Sequence, residues 1–201
     1  MIDYNKGIKD NLELFIDKIK MNPVLYSEAQ NSADICLFIL DKLDFKLSLS
    51  ELYQIYYGSL IHDIGKTKVP SRVLNKNEKL NDDEIEIIHN HPIYGYEMIK
   101  DFIKSEIILD IVKYHHERLD GSGYKNGLKE IPFYVQIVSI ADMYSAMIRK
   151  RPYRRAMTHE EVMKILRIDA SNKKLNLDYV TLLSDYNKES LIFNDIKNII
   201  L

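Results

Sequence analysis

The sequence predicts an all-α single domain of roughly seven to nine helices. Two observations carry that expectation. Apolar residues recur at three- and four-residue intervals through one segment after another, the spacing that lines one face of an α-helix. No apolar–polar alternation persists long enough to build a sheet, and Gly (7) and Pro (5) are scarce among 201 residues, which disfavours a β fold rich in tight turns.

Each element follows from its own signals. Residues 8–20 set Ile8, Leu12, Phe15, Ile16 and Ile19 on one stripe, and residues 27–43 do the same with Ala29, Ala33, Cys36, Leu37, Leu40 and Leu43. A third helix is expected from about Ser50 to Ile61, with Gly65 as its stop. Asn81-Asp82-Asp83-Glu84 reads as a capping-box variant opening a helix to about Asn90. Pro92 then stands in the first turn of a helix to Phe102, where its missing N–H costs little. Ser105 caps a helix expected through Arg118, and Asp120-Gly121-Ser122-Gly123-Tyr124 reads as a loop. Residues 133–149 form a long helix, and Thr158-His159-Glu160-Glu161 is a capping box opening another. The tail from Asp169 is polar, with residues 190–201 open between a short helix and a strand.

Composition excludes several classes. Lys+Arg 28 against Asp+Glu 30 gives a formal charge of -2, without the basic excess of a duplex-binding protein. Cys36 is the only cysteine, so no intrachain disulfide forms, and its apolar neighbours make it a small buried hydrophobe. The run Ile35–Leu40 is too short to span a bilayer, and Met1–Lys6 lacks the pattern of a secretion signal. The chain therefore reads as cytoplasmic.

The chemistry concentrates in six histidines, His62, His89, His91, His115, His116 and His159. His62-Asp63 follows an apolar helix, His91 stands at a helix break, and His115-His116 ends a helix before a glycine loop. Asp142 lies in an apolar turn between Ala141 and Met143, where an unpaired carboxylate is very costly. His89 sits on a polar helix face and His159 in a capping box, so both read as structural. The remaining four imidazoles and two carboxylates are too many for one open tetrahedral site. They suit two adjacent cations, roughly 3.5–4 Å apart, that activate a water and clamp phosphoryl oxygens. Imidazole and carboxylate together favour Fe, Mn, Zn or Ni over Ca or Mg.

In order and spacing these residues resemble the HD superfamily of phosphohydrolases, specifically its HD-GYP branch. The resemblance rests on His62-Asp63-Ile64-Gly65-Lys66, His91, the run His115–Tyr124, Ile140-Ala141-Asp142, and Arg151-Pro152-Tyr153-Arg154. It covers about residues 26–183, leaving 1–25 as an N-terminal helical extension and 184–201 as a C-terminal tail. It implies His62, Asp63, His91, His115, His116 and Asp142 as ligands of two divalent ions, Fe or Mn first, with Asp63 bridging. Lys66 would face the scissile phosphate or its attacking hydroxide, and Arg151 and Arg154 would hold substrate phosphates. Tyr124 would stack on a guanine or shape the pocket. The implied reaction is hydrolysis of cyclic di-GMP to the linear dinucleotide, with a second step to GMP left open.

Three departures qualify the match. Glu28 stands where the family places an early metal-binding His, and its carboxylate is a candidate ligand there for Fe or Mn. Val24 replaces the Glu that supports a third metal in some members, so two metals are expected. Gly123-Tyr124-Lys125 replaces Gly-Tyr-Pro, which should loosen the loop and brings a cation toward a dianionic substrate. Residues 1–25 are too few for a sensory module, so regulation is expected from oligomerisation or a partner such as a diguanylate cyclase. Two alternatives stay open: a cyclic-dinucleotide-binding or partner-docking module weakened by Glu28, and an HD phosphohydrolase of another nucleotide.

Overall fold

The structure is a computed structural model that describes residues 4–150 and 155–186, with side chains from residue 11. Among the described residues it contains no strand, and eight of its α-helices run for eight residues or more. The order is α1 (Tyr4–Lys20), α2 (Pro23–Asp41), α3 (Leu49–Ile61), a 3-10 turn (Ile64–Lys68), α4 (Ser71–Leu74), α5 (Asp82–His89), α6 (His91–Ile99), α7 (Glu106–Tyr114), α8 (Phe133–Ile148), α9 (His159–Ser171) and α10 (Leu177–Thr181). The expected all-α fold is the one observed.

Helix starts follow side-chain chemistry closely. Ser48/Glu51, Asn81/Glu84 and Thr158/Glu161 form reciprocal capping boxes on α3, α5 and α9, satisfying amide groups that no helix can satisfy internally. Asn22 caps α2 ahead of Pro23 at its first position, so α2 begins four residues before the apolar stripe announces it. α7 stops at Tyr114, short of Arg118, because His115 caps it and the chain then turns into the loop.

The core is one continuous apolar cluster. α2 packs on α3 and α8, α3 on α7, and the 3-10 turn on α6. Leu12 and Ile19 of α1 are fully buried in that same cluster, as is Cys36. Tyr186, at the start of the expected tail, packs its ring on Phe38 and Tyr144. No helix among the described residues is long and apolar enough to cross a membrane.

Gly65 does not stop α3 as expected. The helix ends at Ile61, and Gly65 lies inside the 3-10 turn that follows. It is needed for close approach. A Cβ there would lie 1.9 Å from the His91 carbonyl oxygen and 2.6 Å from the Gly95 amide nitrogen. That contact presses the turn carrying Asp63 and Lys66 against the start of α6, which carries His91.

Candidate metal centre

Three histidines share one local device. His62 caps the end of α3, His115 caps the end of α7, and His91 comes two residues after α5. The last carbonyls of a helix have no amide partner within it. Each of these imidazoles donates its Nδ1–H to a carbonyl in the last turn of a helix: His62 to Ser59 at 2.6 Å, His91 to Ile88 at 2.7 Å, and His115 to Ile111, which also accepts the His115 amide, at 3.0 Å. A carbonyl oxygen only accepts, so the proton is fixed on Nδ1 and Nε2 is turned inward. This is the arrangement that orients metal-ligating histidines.

Asp63 is the hub. Its Oδ1 lies 3.0 Å from His91 Nε2 and 3.8 Å from His115 Nε2, while its Oδ2 lies 2.5 Å from Lys66 Nζ and 3.4 Å from His62 Nε2. Asp142, from the middle of α8, brings Oδ1 to 3.4 Å from the same His62 nitrogen. The ligand atoms form two overlapping groups, Asp63/His91/His115/His116 and His62/Asp63/Asp142, each within 4.8 Å. His62, Asp63, His91 and His115 are buried, and His116 and Asp142 half-buried.

Electrostatics divide the two groups. Burial disfavours charge on His62, but Asp63 and Asp142 outweigh it and raise the imidazole pKa to about 10. Burial and the neighbouring imidazoles push His115 and His116 well below the usual histidine range, so both are neutral. Burial opposes ionisation of Asp63, yet Lys66 and His62 overcome it and keep the carboxylate charged. His62 Nε2 and Asp63 Oδ1 are buried without a well-aligned hydrogen bond. Orphaned buried polar atoms are costly, and here both point at the shared space. These two orphaned atoms, the inward Nε2 atoms and a carboxylate whose two oxygens face different histidines fit divalent cations.

A cavity of about 210 Å³ opens onto this cluster, lined by Lys66, His91, His116, Tyr124, Asp142 and Glu28 among others. A larger concavity, about 560 Å³, runs along α9 beside His159 and holds none of the cluster. His159 is structural, as expected: Tyr144 Oη lies 2.7 Å from its Nδ1, and its Nε2 bonds the Ser184 carbonyl. Glu28 reaches the cavity wall but belongs to neither ligand group, and its Oε1 lies 3.7 Å from Arg149 Nη1. Val24 is 62% exposed. Arg151 and Arg154 lie outside the described residues, as do residues 190–201.

Tyr124 lies between two imidazoles. His89 stacks on it at 3.9 Å and 12°, and His116 at 4.5 Å and 23°. With both faces covered, the ring shapes the pocket wall and leaves no face for a base. Lys125, which stands where the family has proline, pairs with Glu86 of α5. Sequence reasoning assigned no role to Glu117. It is buried and accepts from the Asn126 and Leu128 amides at 2.7 and 2.9 Å, holding the far side of the same loop. Its position directly after His115-His116 was the available signal.

Comparison with known proteins agrees with this geometry. The chain is 33% identical over 153 residues to a 3'3'-cGAMP-specific phosphodiesterase of Vibrio cholerae, covering 75% of this chain and 35% of that protein. It is 37% identical over 126 residues to a cyclic di-GMP phosphodiesterase response regulator of Xanthomonas campestris, covering 60% and 33%. The chain thus spans about a third of the length of these relatives. Among solved structures, an HDG"Y"P protein from Bdellovibrio bacteriovorus superposes with a TM-score of 0.66 at 21% identity, covering 88% of this chain and 61% of that one. The PgpH HD domain of L. monocytogenes, in complex with cyclic-di-AMP, gives 0.67 at 20%, covering 85% and 92%. The HD domain profile matches residues 13–176, from within α1 to the cap of α10 and across every residue of the cluster. The chain belongs to the HD domain family.

Proposed function

We propose that this chain is a phosphodiesterase of the HD-GYP type that hydrolyses a cyclic dinucleotide, cyclic di-GMP being the first candidate and cGAMP the second. The observation that carries this reading is the division of the Asp63 carboxylate, with Oδ1 toward His91 and His115 and Oδ2 toward His62 and Lys66. A carboxylate so divided could be shared by two cations. Relatives named for both substrates support the substrate class.

His62, Asp63 and Asp142 would hold one divalent ion, and Asp63, His91, His115 and His116 the other. When bound, such ions supply Lewis-acid polarisation of phosphoryl oxygens and lower the pKa of coordinated water. Fe or Mn suits the mixed imidazole and carboxylate donors. The remaining work belongs to the chain. Lys66 stays charged because Asp63 and Asp142 outweigh the effect of burial, and it lines the cavity where a phosphate would gather negative charge. At about 210 Å³ the cavity is smaller than the ~300–1,000 Å³ of drug-sized sites. It therefore takes the scissile phosphate and adjoining sugar, with the bases resting nearer the rim.

Glu28 favours a second reading, a cyclic-dinucleotide-binding module without turnover. The carboxylate stands at the family's early His position, faces Arg149, and lies outside both ligand groups. The deciding experiment is hydrolysis of cyclic di-GMP, cGAMP and cyclic di-AMP by protein loaded anaerobically with Fe or Mn, beside Glu28→His. Turnover by the parent, with at most a few-fold gain in Glu28→His, is expected. An inert parent revived by Glu28→His establishes the binding module instead.

Protons separate the two cation positions. His62, with its pKa near 10, carries a proton at neutral pH that a cation must displace. Affinity at that position should rise with pH, approaching about tenfold per unit below pH 10. His115 and His116 are already neutral and add no such dependence. Calorimetric titration in buffers of different ionisation enthalpy should resolve one proton-releasing step. Two identical steps would contradict the assignment.

A further inference from the structure

His116 lacks the device that orients its three companions. His62, His91 and His115 each donate Nδ1–H to a helix-end carbonyl, whereas His116 makes no ring hydrogen bond among the described residues. A ligating imidazole without such a partner is free to rotate unless packing holds it. The packing here is a stack of three rings. Tyr124 lies against His116, and His89 lies against the opposite face of Tyr124 in nearly parallel contact.

We infer that His89 is a positioning residue for the cation centre, clamping Tyr124 onto His116 and so fixing the plane of that ligand. The clamp draws its parts from separate elements. His89 ends α5, Tyr124 belongs to the glycine loop, and His116 follows α7. Each partner is held from behind. Glu86, one turn before His89, pairs with Lys125, so α5 grips the loop at two adjacent points. On the inner side Gly123 is pressed against the chain, where a Cβ would lie 2.4 Å from Glu117 Cα and 2.5 Å from the His116 carbonyl oxygen. That close approach brings the ring after the glycine into stacking distance of His116. The inference rests on the reading of His116 as a ligand and extends it to a residue two positions before His91 that no ligand spacing would select.

Cobalt(II) titration of the chelator-stripped protein tests this, read by d–d absorption, with His89→Ala and His89→Phe beside the parent. His89→Ala should weaken the step that survives in Asp142→Asn by about tenfold, at the lower end of what lost outer-shell partners cost, and should change its absorption bands. The step that Asp142→Asn removes should keep its affinity. His89→Phe restores a ring able to stack and should return both affinity and spectrum. A parent that binds no cobalt overturns the proposed function along with this inference. A parent that binds cobalt, with His89→Ala matching it in affinity and spectrum, overturns the inference alone. Equal weakening of both steps, unrescued by His89→Phe, assigns His89 a merely structural role and overturns it as well.

Discussion

Asp63→Asn is expected to leave the protein unable to hold either cation and to lower cyclic dinucleotide hydrolysis by at least about 10³, since both charge stabilisation and water activation are lost together. Asp63 is the one residue common to both ligand groups. Asparagine keeps the size and some hydrogen bonding but presents one neutral acceptor where two charged oxygens were engaged. Asp142→Asn is the informative comparison. Asp142 belongs only to the His62 group, so that variant should keep one cation, at Asp63/His91/His115/His116. The cation-free protein should also suffer from Asp63→Asn. The Lys66 ammonium, only 21% exposed, loses its carboxylate at 2.5 Å. Breaking a buried pair on one side costs about 3–5 kcal/mol, a ceiling here because the lysine stem can reach toward the cavity mouth. Metal analysis, chemical denaturation and hydrolysis on the two variants check the three parts. Two cations retained by Asp63→Asn would refute the bridging role.

Much of this was legible before any coordinates. Capping boxes at Asn81 and Thr158 are written in four consecutive residues, and both formed as read. His62, His91 and His115 were legible because a histidine just past a helix end has a local reason to be there, a carbonyl in need of a donor. What escaped was set by distant partners. Gly65 looks like a helix stop because glycine after an apolar helix usually is one, yet its role is contact with backbone at His91 and Gly95. His89 looks like a surface residue on a polar face until Tyr124, thirty-five positions later, lies on it. Glu28 was weighed as a ligand from its position alone, and only the fold brings Arg149 to face it. Asn22 was passed over because the apolar stripe, which marks burial, begins later than the helix.

Gly65→Ala should be the most damaging single methyl in the molecule. The added Cβ would meet the His91 carbonyl oxygen at 1.9 Å, and ordinary contact begins near 3.4 Å, so the turn and α6 must separate by roughly 1.5 Å. Both partners are backbone, and neither can rotate aside. Gly58→Ala supplies the contrast. Its Cβ would also be close, 2.7 Å from a neighbour, but that neighbour is Cδ1 of Ile111, the movable end of a side chain. Overpacking costs about 1–3 kcal/mol where side chains can adjust and more where they cannot. We expect at least about 3 kcal/mol for Gly65→Ala and less than about 1.5 for Gly58→Ala. In a chain of this length the former is a fall in melting temperature of about 6–12 °C. The chemical consequence exceeds the thermal one. The same separation carries Asp63 away from His91, now 3.0 Å apart, and would open the bridge proposed for the two cations. A displacement of about 1 Å at a reacting centre costs on the order of 10² in rate. Gly65→Ala should therefore lose cation affinity even at temperatures where it remains folded, while Gly58→Ala keeps it. Thermal melts with and without Mn(II) measure both effects: the parent and Gly58→Ala should gain stability from the ion, and Gly65→Ala should gain little. A Gly65→Ala protein that melts with the parent and responds equally to Mn(II) would mean that the turn and α6 are not held in register by this contact.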